Sequence, residues 1–416
     1  MSAHLVLYQT LLQRIAATLP SSIRRSTITR LALLVTGILA AKSTVLAQIA
    51  AELHALDLTD AACPEHIERR LRRTLNDPFL VPATCYAPVL HQVLDWDALR
   101  RGSRQVVLTV DDSSKADQIH LFRVSLTYWG GSLPLAWAIW DQNVAQDEGH
   151  YWRQVDHVFD QVAALLPGRL SVVIVADRAF AVPNFLDRCA RHGWHWVVRL
   201  TTTGSHRFRE RRGRDVGVRE LLGQHLGHPG QRWKVSGALF KGAGWREVSI
   251  VGQWGMGAKE ALVVMSDLGA KWVVLALYER RFWCEPGFRN DKSRGWQWET
   301  SQVQGVVHHK RLLLGMAWAS LVAVCAGLEE AAGQVAREER KRERGCRGKP
   351  QPARLSVFTL GLRAVRRWLY GTARGALPWR LPELDGPSWE RRWHQLQSWW
   401  LIFSCHKTSY ICSVRP

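Results

Sequence analysis

The sequence holds eight cysteines but no C-x-x-C pair, and no histidine stands at zinc-finger spacing from one. That argues against structural zinc; scattered thiols in a chain this long read as reduced cysteines of a cytosolic protein. A basic segment leading into an apolar run is also missing near the start, so no secretory signal is expected. The most apolar early stretch, Leu31–Ala41, has only eleven residues. That is too few to span a bilayer, and a buried helix is expected there. Acidic residues are scarce: 36 Asp and Glu stand against 56 Lys and Arg, a net charge of +20. Such an excess points to a polyanionic partner, most often nucleic acid.

What is present is otherwise ordinary for a globular chain. Hydrophobic residues make up 47% and charged residues 22%, which excludes a mostly disordered protein. A length of 416 residues allows about two to three domains. The charge is uneven, at +2 over residues 1–100, +7 over 101–330 and +11 over 331–416. Tryptophan is abundant at 21 copies; most belong to the core, and some are available to stack on bases.

Residues 1–100 read as helical. HLVLYQTLLQRIAATL, ITRLALLVTGILAA and VLAQIAAELHAL each space apolar residues at three and four. Thr44–Asn76 combines a short helix, a break at Asp60 and Pro64, and a basic helix. This resembles a helix-turn-helix, whose second helix enters a DNA groove. A helical bundle with Arg69, Arg70, Arg72 and Arg73 on a solvated face accounts for the same residues.

The texture changes after Arg104. QVVLTVDD is an apolar run fit for a strand covered on both faces. A hairpin turning at Gly130-Gly131, a helix (YWRQVDHVFDQVAALL), a second buried strand (LSVVIVAD), a helix and a strand follow. This order predicts an α/β fold. Residues 203–275 read as a β-rich insertion. Val306–Arg344 reads as one long helix, Cys346–Arg354 as a basic linker and LSVFTLGLRAVRRWLYG as a further helix. The final stretch follows no clear pattern. The chain thus divides into a helical region at 1–100, a core at 101–330 and a basic helical region at 331–416.

Asp111 and Asp177 each follow an apolar strand. If the two strands are adjacent and parallel, both carboxylates reach one sheet edge, where active sites of open α/β sheets gather. Converging carboxylates suit Mg²⁺, although strand-end aspartates also cap turns. Asp112 competes with Asp111, but strand alternation points it to the other face. In YERRFWCEPGFRNDKSRGWQWE, Tyr278, Arg281, Glu285 and Lys292 fall at offsets 0, 3, 7 and 14. At about 100° per residue they share one narrow helical stripe. A carboxylate between cations suits a metal-bound phosphodiester, with the acid on the metal and the cations on phosphates. A salt-bridged surface helix is the plain alternative. Pro286 is tolerated only in a first turn or at a kink, so a helix starting near Glu285 would leave Tyr278 and Arg281 outside it.

Tyr-x2-Arg-x3-Glu-x6-Lys resembles the signature of bacterial insertion-sequence transposases with a DDE triad, in the group named after insertion sequence four. VLTVDDSS and VVIVADRAF resemble that family's first and second Asp motifs, and FRNDKSRGWQWE resembles the stretch through the signature lysine. The resemblance covers about residues 100–320. It implies a ribonuclease H-like catalytic core with a β-strand insertion before the glutamate, and Asp111, Asp177 and Glu285 as ligands for two Mg²⁺ ions, with Mn²⁺ able to substitute. It implies that Tyr278, Arg281 and Lys292 contact phosphates of double-stranded DNA near the element's ends. In some relatives a tryptophan of the insertion stacks on a flipped base; Trp254 and Trp272 are the candidates here, although core packing is the more common role for such residues. The implied activity is DNA transposition: metal-dependent cleavage at the ends and transfer of the 3′-OH into target DNA, by a homodimer on DNA in the bacterial cytoplasm. The alternatives are a nuclease of the same fold without strand transfer, and a DNA-binding protein that has lost catalysis; the intact triad argues against the latter.

Overall fold

The computed structural model describes residues 2–93, 105–128, 131–166, 170–202, 206–344 and 355–371. The linker expected at 346–354 and the chain beyond 371 lie outside the described residues. Ten strands form one mixed sheet: β1 (Gln105–Lys115), β2 (Ile119–Tyr128), β3 (Gly131–Asp141), β4 (Ser171–Ala176), β5 (His195–Arg199), β6 (Arg207–Glu210), β7 (Asp215–Gly217), β8 (Arg232–Leu239), β9 (Arg246–Gln253) and β10 (Leu262–Ser266). Their order is β3-β2-β1-β4-β5-β10-β9-β8-β6-β7. β1, β4 and β5 run parallel, and β2 is antiparallel to both β1 and β3. The strand-rich segment expected at about 203–275 extends this sheet, because β10 pairs antiparallel with β5. That pairing covers what would otherwise be an open edge of the parallel strands.

Valine-rich β1 and β4 are buried on both faces, as their continuous apolar runs require. Alternate side chains serve different layers. Val107, Val173, Val175, Val197 and Val264 pack against the helix α10 (Val273–Glu279). Leu108, Val110, Ile174 and Ala176 belong to the larger core on the opposite face. There lie α7 (His150–Leu165), which buries Val155, Val158, Phe159, Val162 and Leu165 at helical spacing, and α8 (Pro183–Arg191).

The helices at the two ends of the chain share one core. Before the sheet come α1 (Ala3–Thr18), α2 (Arg25–Ala41), α3 (Leu46–Ala55), α4 (Pro64–Asn76), the single turn α5 (Pro82–Cys85) and α6 (Ala87–Val93). α9 (Val218–His225) lies between β7 and β8, and α11 (Cys284–Arg289) follows α10. After them run the 38-residue α12 (Val306–Glu343) and α13 (Val357–Leu369). Leu34 and Ile38 of α2 meet α12 at Gly315, and the Trp318 indole N–H donates to the Cys85 carbonyl at 3.0 Å. The α13 helix crosses α12 where Gly327 and Gly361 let the two backbones touch. Among the described residues, Val306–Gln334 is long and apolar enough to cross a membrane, but it is mostly buried inside the protein. The five cysteines among the described residues are free thiols.

Candidate active site

Val110 opposite Ala176 is the last rung of the parallel β1–β4 ladder. Asp111 and Asp177 come next on their strands, so the two carboxylates leave the ladder side by side. Asp177 also caps the 3₁₀ turn Arg178–Phe180, its Oδ1 accepting from the Arg178 N–H at 2.7 Å. Asp111 shares the parity of Val107 and points to the α10 face. Asp112 points to the other face, where its carboxylate accepts from the Tyr151 hydroxyl at 2.8 Å and lies 3.0 Å from His120 Nε2.

The third carboxylate arrives on a helical path of changing pitch. α10 tightens into a 3₁₀ turn at Arg280–Trp283, relaxes into α11 and widens into a π turn at Asn290–Arg294. Pro286 is the third residue of α11, just past the change of pitch from the 3₁₀ turn, and the helical path continues through it. Tyr278, Arg281 and Glu285 therefore all stand on the helical path. The 3₁₀ turn rotates the face by about 20° per residue beyond the α-helical value, so the single stripe expected from uniform pitch does not persist. Arg281 and Glu285 still meet. Lys292 turns instead toward Glu299, 3.6 Å away.

One guanidinium joins the three acids. Arg281 Nη1 donates to Glu285 Oε1 at 2.7 Å. Its Nη2 donates to Asp111 Oδ2 at 3.2 Å and lies 3.7 Å from Asp177 Oδ2. The Cys284 thiol, directly before Glu285, also donates to Asp111 Oδ2, at 3.2 Å. Burial raises the pKa of Asp111, and the Asp177 charge adds to that; Arg281, the Cys284 thiol and the Asp112 N–H oppose it. Burial pulls the Arg281 pKa down, but Asp111, Cys284 and Asp177 outweigh it and raise it overall. Burial, and then the charge of Asp111, push the Cys284 thiol well above its usual range.

Tyr278 is only 1% exposed and packs into the valine layer beneath the sheet. Its ring therefore lies beneath the site rather than at the surface. Burial and the neighbouring Asp177 raise its pKa. Trp272 has Arg232 4.3 Å and Lys234 5.3 Å over its ring, while Trp254 donates its indole N–H to the Ala258 carbonyl. Sequence reasoning missed two neighbours. Cys284 carries no signal in its spacing. Phe282, directly after Arg281 on the same tight turn, is 43% exposed and sets its ring edge-on to Tyr278 at 5.9 Å.

The donor set suits a hard divalent cation, because three carboxylates each direct an oxygen onto one positive group. Among the described residues, though, no three of His, Cys, Asp or Glu converge closely enough to hold a metal ion themselves. The acids are spaced around the flat guanidinium.

A mixed sheet that gathers acids from two parallel strands and a later helix onto one cation has the layout of an α/β enzyme site. Residues 108–322 match the transposase DDE domain family, over slightly more than half of the chain, and the chain belongs to that family. It is thereby an enzyme of DNA transposition. No match is found among curated proteins.

Proposed function

We propose that this protein is a transposase of the insertion sequence four group that cuts double-stranded DNA at the ends of its element and joins the freed 3′-OH to target DNA. The observation that carries the reading is the meeting of Asp111, Asp177 and Glu285 on one cation. The strand order β3-β2-β1-β4-β5, with only β2 reversed among β2, β1, β4 and β5, supports a ribonuclease H-like core. Asp111, Asp177 and Glu285 would hold two Mg²⁺ ions, which supply Lewis acidity to the attacked phosphodiester and to the departing 3′ oxygen.

The remaining roles fall to the chain's own side chains. Arg281 and Lys292 bind backbone phosphates near the scissile bond, Lys292 by leaving its long contact with Glu299. Tyr278, buried beside Asp177, sets the height of the turn that carries Arg281. Arg69, Arg72 and Arg73 on the exposed face of α4 read or grip the element end. The +20 charge adds affinity that does not depend on sequence and weakens with salt. Two protomers on DNA bring two ends together.

The test is Mg²⁺-dependent nicking of a supercoiled plasmid carrying the element's own ends. Asp111→Asn, Asp177→Asn and Glu285→Gln should each lower it by at least about 100-fold, since even residues that only orient a metal ligand are worth 10- to 100-fold. End binding should survive in all three. Near-normal nicking by any one of them removes that residue from the site.

A further inference from the structure

The three acids of the site surround a side chain that cannot serve both them and a phosphate at once. We propose that Arg281 is a built-in counter-cation: in the free protein it fills the place among Asp111, Asp177 and Glu285 that divalent ions take, so the site accepts metal tightly only after a DNA phosphate has drawn Arg281 away. The inference rests on the transposase reading above and adds an order of events to it.

Arg281 spreads its two terminal nitrogens over all three carboxylates, and its side chain is 12% exposed. A guanidinium keeps its proton in proteins, so Arg281 stays a full competitor for any other cation. Their spacing around a planar fork is also why no three acids close on a metal-sized point in this state. The seat does not satisfy Arg281 completely: its Nε is buried with no hydrogen-bond partner. A phosphate oxygen pair matches the Nε–Nη edge of a guanidinium and makes two charge-assisted bonds at once. The residue sits on the 3₁₀ turn between α10 and α11, where the hydrogen bonding is poorer than in the flanking helices. Three acids and one guanidinium leave a net negative charge, which repels a phosphate that arrives alone. Passing Arg281 to the phosphate and cations to the acids removes both mismatches. DNA then strengthens metal binding, and metal strengthens DNA binding by the same factor. A protein built this way does not carry a loaded cutting site while it is off DNA.

The experiment measures Mn²⁺ binding to the full chain without DNA, by the loss of the free-ion electron paramagnetic resonance signal. Wild type should bind weakly, and Arg281→Gln should bind at least about tenfold more tightly, the factor lost when a site is open in a tenth of the molecules or fewer. Adding Asp111→Asn to Arg281→Gln should remove the gain. Equal affinity in wild type and Arg281→Gln, with both dependent on Asp111, overturns the counter-cation role and leaves the transposase reading standing. Binding that ignores Asp111→Asn in either background overturns both. Should Arg281→Gln fail to fold, wild type decides by itself. Phenylglyoxal labelling of Arg281, read by peptide mass spectrometry, should speed up when Mg²⁺ saturates the protein, and an unchanged rate overturns the proposal.

Discussion

The Tyr151 hydroxyl donates to Asp112 Oδ2 at 2.8 Å, on the face of β1 opposite to Asp111. Adjacent aspartates on one strand thus serve different layers. Asp111 faces the helical path that carries Arg281 and Glu285, and Asp112 ties α7 to the sheet together with His120, whose ring stacks on Trp140 at 4.2 Å.

Asp112→Ala should therefore cost stability while sparing chemistry. It leaves the half-buried Tyr151 hydroxyl without its acceptor, a loss of about 1–3 kcal/mol. Thermal unfolding should show the drop, and nicking well below the new midpoint should stay within a few-fold of wild type. A loss of nicking as deep as that of Asp111→Asn would give Asp112 a direct part in the reaction.

Acid should weaken the fold through His309. Trp298 Nε1–H donates to His309 Nδ1 at 3.2 Å, and Lys115 Nζ stands 3.5 Å from Nε2. Burial first, and then the Lys115 charge, pull the His309 pKa from 6.5 to about 4. Between those values the unfolded chain holds a proton that the folded chain does not. The contribution is therefore complete above pH of about 6.5 and is lost as pH falls toward 4, by about 3 kcal/mol at most. Urea unfolding at pH 7.5 and 4.5 should show this slope, and His309→Gln should flatten it. Identical slopes in the two proteins would discharge His309 from that role.

A methyl group at the α12–α13 crossing should part the helices. A Cβ on Gly361 would lie 1.6 Å from the Ala323 carbonyl oxygen, and one on Gly327 would lie 1.9 Å from that of Val357. Backbone cannot yield as a flexible side chain does, so Gly361→Ala should cost about 1–3 kcal/mol or more. Limited proteolysis should then open residues 355–371 first. An unchanged melting temperature and cleavage pattern would mean that the helices cross farther apart.

End recognition should be probed on the intact chain. Deleting residues 1–100 strips α2 from Gly315 and the Cys85 carbonyl from Trp318, so the remainder should aggregate. Arg69→Ala with Arg73→Ala instead changes only exposed side chains of α4. If both touch phosphates, the salt slope of end binding should fall by about 0.9 for each. An unchanged slope and unchanged preference for the element's ends would return both arginines to a solvated face.

Much of this protein is written locally. The valine runs of β1 and β4 and the apolar spacing of α7 and α12 follow from burial on one face or two, and those periods are visible in any short window. The Val306–Glu343 helix and the strands β8, β9 and β10 stand where their patterns put them. The adjacency of Asp111 and Asp177 follows once two apolar runs pair in parallel. Local pattern did not contain the pitch of the path from Val273 to Arg294, because neither a 3₁₀ nor a π turn changes residue type. It therefore could not tell that Lys292 turns to Glu299 or that Tyr278 sinks into the valine layer. Nor could it tell which cation answers which acid. Arg281 and Asp111 are 170 residues apart in sequence, and their contact exists only because the sheet and the path carrying Arg281 are packed together. Charge pairing inside a protein is settled by which carboxylates burial leaves in greatest need of a counter-charge, and burial is a property of the assembled layers.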